Sequence, residues 1–191
     1  MNAKWFSKSC SDMKIFLVGF MGCGKSTIGR MLAREQRCSY IDMDRQLVAR
    51  HNLSINEMFS KYGESFFRKS EQEFLTEIVD RDEPMIVVAT GGGVACNPDN
   101  MDMMLKSGVV IYLKRTREGL LRRLVAGQHS RPLISGKTPE EIGEFIDKTL
   151  AEREPHYLRA NITIDCDYIG DAAIVDIVRM ALDYESRERS K

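Results

Sequence analysis

Lys25 and Ser26 are the side chains with the clearest chemistry, because they close the run Gly19-Phe20-Met21-Gly22-Cys23-Gly24-Lys25-Ser26-Thr27. An ammonium and a hydroxyl directly after spaced glycines suit a polyphosphate. Lys25 can reach the β and γ phosphates, and the Ser26 hydroxyl can sit on a Mg2+ ion that bridges them. Gly19, Gly22 and Gly24 carry no side chain where oxygens would approach backbone N–H donors, and the helix start that follows points its positive end the same way. Gly22, Cys23, Gly24, Lys25, Ser26 and Thr27 are therefore the candidate nucleotide-contacting positions. Cys23 reads as a space-filling residue of the loop rather than as a redox centre.

A phosphate loop does not by itself separate a kinase from a GTPase, a motor or a transporter ATPase. The apolar run Met85–Ala89 ends in Thr90-Gly91 with no acid after it, so a carboxylate for the metal must come from elsewhere. Asp42 fits, acting through the water that magnesium retains, and Asp165 is its competitor on a more distant strand. No asparagine- or threonine-plus-lysine-plus-aspartate signature for guanine is present, which favours adenine and makes ATP the expected co-substrate. Between Gly127 and Lys137 two glycines, a proline and several polar residues, Arg131 among them, interrupt all periodicity. Such a segment suits a lid that closes over two substrates and excludes water.

These groups need elements to position them. Ile15–Val18 reads as a strand, the loop follows, and Ile28 to about Gln36 reads as a helix. Cys38–Ile41 reads as a second strand running into Asp42-Met43-Asp44, where alternation along an extended segment aims both carboxylates the same way. Ser54-Ile55-Asn56-Glu57 has the form of a capping box, and Gly63 ends the helix that it starts. A longer helix from Ser65 carries Arg68 and Glu71 three residues apart, a spacing equally ordinary for a surface ion pair. Met85–Ala89 is a strand that runs into the glycine turn Thr90–Gly93, and Pro98 to Leu105 a short helix. Val109–Leu113 is a buried strand, followed by a helix capped by Thr116 that carries Leu120, Leu121 and Leu124. Thr138-Pro139-Glu140-Glu141 starts a helix to about Tyr157, in which Pro155 is expected to kink or end the helix nearby. Ile162–Asp165 is the last strand and Asp171–Leu182 the last helix.

Five short apolar strands alternating with helices predict an α/β fold with a single five-stranded parallel sheet flanked by helices, and ligands at the carboxyl ends of the strands. Residues 1–13 form an N-terminal extension, 14–184 the kinase domain with a lid at about 126–137, and 185–191 a polar tail. The 191 residues, 43% of them hydrophobic, suffice for one full core. Lys plus Arg and Asp plus Glu both total 28, which predicts no attraction to nucleic acid or anionic membrane. The longest apolar runs are too short to cross a bilayer, and no leader pattern opens the chain. Five cysteines without paired spacing fit reduced thiols in a cytoplasm, and no large unexplained apolar stretch remains, so a cytoplasmic monomer is expected. His51, His129 and His156 show no spacing for a catalytic pair or metal site.

In order along the chain, Gly19-x-x-Gly22-x-Gly24-Lys25-Ser26, Asp42-x-Asp44, Phe67-Arg68-x-x-Glu71, Thr90-Gly91-Gly92-Gly93, Arg131-Pro132-Leu133 and Arg153-x-x-x-Tyr157 resemble the motifs of the shikimate kinase family. The resemblance spans about residues 14 to 180. It implies a phosphate-loop fold like that of nucleoside monophosphate kinases. The implied reaction is ATP-dependent phosphorylation of the 3-hydroxyl of shikimate, in chorismate and aromatic amino-acid biosynthesis. Shikimate is a small ring with one carboxylate and three hydroxyls. Arg68 and Arg153 would fork the carboxylate, and Asp44 would accept from hydroxyls and orient or deprotonate the attacking one. Backbone N–H groups of the Gly91, Gly92 and Gly93 turn would complete the pocket, with Glu71 holding Arg68. Arg131 would swing over the transferring phosphoryl group. By position in the family, Arg123 would stack on adenine.

Each role has a plainer counterpart: Asp44 as a helix cap, Arg153 as a partner of a helix dipole, Arg123 as part of a solvated face. Another small-molecule kinase, for gluconate or a nucleoside monophosphate, is the nearest rival. A nucleotide acceptor calls for several lid arginines, and this lid offers Arg131 alone. A nucleotide-binding module without catalysis is the rival from another class, against which Lys25, Ser26, Asp42, Asp44 and Arg131 stand intact.

Overall fold

The computed structural model describes residues 13–128 and 132–189, apart from the side chains of 132 and 185–189. Five parallel strands form one sheet in the order β2-β3-β1-β4-β5. They are β1 (Met13–Val18), β2 (Ser39–Asp42), β3 (Met85–Ala89), β4 (Gly108–Lys114) and β5 (Ile162–Asp165). Since β1 lies between β3 and β4, the phosphate loop leaves the sheet at its centre, where the chain winds to one side and then the other. That switch point is where a parallel sheet opens a crevice.

Alternation along the strands assigns the two faces. Ile15 and Leu17 of β1 pack with Val87, Val109, Ile111 and Ile164 against α1 (Lys25–Gln36), α5 (Arg117–Ala126), α6 (Pro139–Tyr157) and α7 (Asp171–Arg189). Phe16 and Val18 pack with Ile86, Val88 and Val110 against α2 (Met43–His51), α3 (Ile55–Val79) and α4 (Pro98–Ser107). Strands buried on both faces read as continuous apolar runs, as β1 and β4 do.

Local signals set the helix ends. Ser54 and Thr138 each form a complete capping box, with Glu57 and Glu141 respectively, and Thr116 accepts from the N–H of Gly119. Gly63 interrupts α3 at φ 82°, so the segment is two helices meeting at a kink. The helix carrying Pro155 ends two residues later, at Tyr157. Several boundaries differ from the sequence reading by a few residues, those of β1, α1, α4 and β4 among them, and two differ in kind. The second strand is Ser39–Asp42, and Asp44 lies in the first turn of α2 rather than on an extended segment. Asp42 itself caps α2, accepting from the N–H of Arg45 at 3.3 Å, and this chemistry ends the strand. The last helix runs on to Arg189 rather than stopping near Leu182.

Candidate active site

The carboxyl ends of β1, β2 and β3 open into one cavity of about 410 Å3. On one side stand Gly22, Gly24, Lys25, Ser26, Thr27 and Arg123; on the other stand Asp44, Arg68, Glu71, Gly92, Gly93 and Arg153. Sequence segments more than a hundred residues apart thus share one enclosure.

The nucleotide side is built from backbone. Gly19, Gly22 and Gly24 all have positive φ, at 137°, 79° and 118°. Gly24 is the N-cap of α1 and supplies no side-chain cap; its carbonyl takes the Thr27 N–H at 3.0 Å, which leaves the N–H groups of Lys25 and Ser26, both in the cavity lining, for an anion. Lys25 is buried, and its ammonium donates to the carbonyls of Gly19 at 2.7 Å and Phe20 at 3.0 Å. Cys23 is buried with its sulfur 3.8 Å from that ammonium, which fits the space-filling role. Arg123 donates to the carbonyl of Gly22 at 2.9 Å, so its guanidinium packs on the loop at the edge of the cavity.

A tyrosine joins this side to the first carboxylate. The Tyr40 hydroxyl lies 3.2 Å from both the Ser26 carbonyl and Asp42 Oδ2, and its single hydrogen serves one of them at a time. Burial and the Asp42 charge push the phenol up to about 12, so it remains a donor at neutral pH. Asp42 keeps acceptor capacity toward the cavity beyond its cap and this contact. Among the described residues no group of three or more His, Cys, Asp or Glu could hold a metal, so any ion here would depend on phosphate oxygens and water for most of its ligands. Asp165 is not part of the cavity lining; its carboxylate accepts from the N–H of Asp167 at 3.0 Å.

The acceptor side is built from side chains. Arg68 donates to Glu71 at 2.7 Å and to Glu64 at 3.1 and 3.0 Å, which fixes the guanidinium plane. Glu71 is fully buried, and desolvation outweighs Arg68 to raise its carboxyl from 4.5 to about 7. Asp44 is also raised: burial dominates, Lys25 and Arg68 oppose, and Asp42 adds to the rise. The glycine turn makes this packing possible. A Cβ on Gly91 would lie 2.7 Å from both Asp44 Oδ1 and Glu71 Oε1, and one on Gly93 would collide with the Arg68 guanidinium. Arg153 Nη1 lies 3.5 Å from where a Cβ of Gly92 would be, and the Tyr157 hydroxyl, one helical turn further, donates to the Gly92 carbonyl. Apolar Ile55, Phe59 and Phe67 close the floor.

The structure thus brings together the described site candidates: Gly22, Gly24, Lys25, Ser26, Thr27, Asp42, Asp44, Arg68, Gly92, Gly93, Arg123 and Arg153 line the cavity, while Cys23 and Gly91 pack directly behind it. Arg131 lies outside the described residues, as do His129 and the aromatics Trp5 and Phe6. Of the expected lid, Leu133 reaches the cavity, Ile134 is buried, and Gln128 ties the segment by donating to the carbonyls of Ile134 at 2.9 Å and Lys137 at 2.6 Å. Sequence reasoning missed Tyr40, Glu64 and Arg115. Glu64 was within reach of local reasoning, four residues before Arg68; Tyr40 lies one residue inside β2, and Arg115, directly past the end of β4, donates to the Cys23 carbonyl at 2.9 Å.

The arrangement can bind a polyphosphate against a small anionic polyol and hold a carboxylate where a hydroxyl proton would leave. Comparison with known proteins agrees. The family model described as shikimate kinase matches residues 21–181. A shikimate kinase from Azobacteroides pseudotrichonymphae is 44% identical over 165 residues, covering 86% of this chain and 95% of the relative. The crystal structure of shikimate kinase from Bacteroides thetaiotaomicron superposes with a TM-score of 0.84 at 32% identity, covering 90% of this chain and 98% of that one. Shikimate kinase from Acinetobacter baumannii, solved in complex with shikimate, gives 0.81 at 30% identity over 91% and 95%. With a match over most of its length in sequence and in fold, this chain belongs to the shikimate kinase family.

Proposed function

We propose that the chain transfers the γ-phosphoryl group of ATP to the 3-hydroxyl of shikimate, giving ADP, shikimate 3-phosphate and a proton. The observation that carries this reading is the single cavity with a phosphate loop on one wall and Asp44, Arg68 and Arg153 on the other. Arg68, locked by Glu64 and Glu71, forks the shikimate carboxylate together with Arg153. That anchorage turns a hydroxyl toward Asp44, whose pKa, raised by burial, makes its carboxylate a better proton acceptor than that of an exposed aspartate. The hydroxyl oxygen bonds to the γ phosphorus as the bond from that phosphorus to the ADP oxygen breaks. Its proton passes to the Asp44 carboxylate and then to solvent.

On the other wall, Gly22 to Thr27 hold the phosphates by backbone N–H groups, and Lys25 exchanges the carbonyls of Gly19 and Phe20 for phosphate oxygens. Ser26 and Asp42 would hold Mg2+, which neutralises charge on the β and γ phosphates when bound. Arg123 borders the adenine site, and the 126–137 lid brings Arg131 over the transferring group. The four described cysteines are all free thiols, which supports a cytoplasmic setting. Among the described residues no helix is long and apolar enough to cross a membrane.

The test is ADP release from Mg·ATP in a coupled assay with shikimate, gluconate and a nucleoside monophosphate offered singly. Turnover is expected with shikimate alone; turnover only with another acceptor would discard the substrate assignment and retain the kinase.

A further inference from the structure

Three cations hold the carbonyls of the phosphate loop. Lys25 takes those of Gly19 and Phe20, Arg123 takes Gly22, and Arg115 takes Cys23 through Nε at 2.9 Å. Lys25 and Arg123 line the cavity, whereas Arg115 sits behind the loop with its side chain only 6% exposed.

The geometry of the peptide gives that contact a consequence. No described peptide bond is cis, and across a trans peptide the C=O and the following N–H point in opposite directions. Holding the Cys23 carbonyl toward Arg115 therefore turns the Gly24 N–H the other way, toward the phosphate side at the start of α1. Gly24 needs such a hold, since a glycine at φ 118° has little conformational preference of its own.

Arg115 is itself anchored from the far side. Its Nη1 donates to the Cys166 carbonyl and lies 3.5 Å from Asp167 Oδ1, and its Nη2 lies 3.9 Å from Asp171 Oδ1 in the first turn of α7. Asp167 in turn accepts from the N–H of Thr116 at the start of α5. The planar fork thus spans from the phosphate loop to the loop between β5 and α7, a reach that a lysine ammonium lacks. A guanidinium placed only to neutralise Asp167 would have no need of a loop carbonyl on its opposite edge.

We propose that Arg115 is a positioning residue for nucleotide phosphate: it fixes the Cys23–Gly24 peptide so that the Gly24 N–H faces the bound polyphosphate. The inference rests on the ATP-dependent reading above. Its test compares wild type with Arg115→Lys and Arg115→Gln, measuring Mg·ADP affinity by calorimetry and KM for ATP and for shikimate by turnover. Loss of one charge-assisted bond predicts Mg·ADP binding weaker by roughly tenfold to a hundredfold and a matching rise in KM for ATP, with KM for shikimate within about twofold. Unchanged Mg·ADP affinity, or equal losses for both substrates, would overturn the assignment and leave Arg115 as a general support of the fold.

If neither variant folds, wild type still decides through the NMR exchange rate of the Arg115 Nε–H. Continued protection with Mg·ADP bound is required; faster exchange on binding would overturn the proposal. Wild type that fails to bind Mg·ADP at all would defeat the kinase reading itself, a result distinct from either.

Discussion

The two walls of the cavity are made differently. The wall assigned to nucleotide is built on the continuous segment 19–27, to which Arg123 adds a guanidinium, and three cations hold the carbonyls of its loop. The acceptor wall draws Asp44, Arg68, Gly91 to Gly93 and Arg153 from four separate elements, and charged side chains pack there against glycine with no space to spare. A backbone site tolerates many side-chain changes around it; a side-chain site depends on each carboxylate and guanidinium keeping its place. The second wall also carries a pH sensitivity, because Asp44 and Glu71 are buried beside one another there and both carboxyls are raised.

The sharpest division comes from Asp44→Asn. Turnover should fall by roughly two to four powers of ten, while Mg·ADP affinity measured by calorimetry stays within about threefold. Collapse of nucleotide affinity would mean that Asp44 belongs to the other wall. Gly91→Ala should cost about a hundredfold in kcat by displacing Asp44 and Glu71, again sparing the nucleotide, because even an ångström of misplacement is felt in the transition state. Normal kcat in that variant would show that the turn can yield. Arg68→Ala should raise KM for shikimate roughly tenfold to a hundredfold, as loss of a charge-assisted fork does, and an equal rise in KM for ATP would make Arg68 structural.

Glu71 offers a subtler comparison. Its carboxyl is raised from 4.5 to about 7, so between those values the folded chain keeps a proton that the unfolded chain has released. Stability from this group is complete below about 4.5, declines as pH rises, and is lost above about 7. Asp44 acts in the same direction in wild type and variant alike. Urea midpoints across that window should therefore fall less steeply with pH in Glu71→Gln than in wild type; parallel curves would remove Glu71 as a source of the slope. The smallest effect belongs to Arg50→Ala. The pair with Glu77 is short, at 2.8 and 2.5 Å, yet both side chains are nearly half exposed, so stability should change by only about 0–1 kcal/mol and activity not at all.

The same contrast explains what was legible in the sequence. The core of the nucleotide wall lies in the nine consecutive residues 19–27, and its strand, loop and helix each carry a local signal. Capping at Ser54, Thr116 and Thr138 and the kink at Gly63 were equally readable, since each depends on neighbours a few positions away. The acceptor wall emerged only through the joint order of weak motifs. Alternation gave the wrong reason for Asp42 and Asp44 facing one cavity, because Asp42 stops the strand by capping a helix that then carries Asp44. Arg115 lay at a strand end, but its role was not legible, because its partners at Cys23, Cys166 and Asp167 become neighbours only when β4 pairs with β1 on one side and β5 on the other.

The most direct test of the whole account is phosphorus NMR of the reaction with Mg·ATP and shikimate, following where the γ-phosphoryl group goes. The account predicts a phosphate monoester whose phosphorus couples to the ring proton on carbon 3, formed in step with ADP. Phosphate on another hydroxyl, or inorganic phosphate alone, would contradict it.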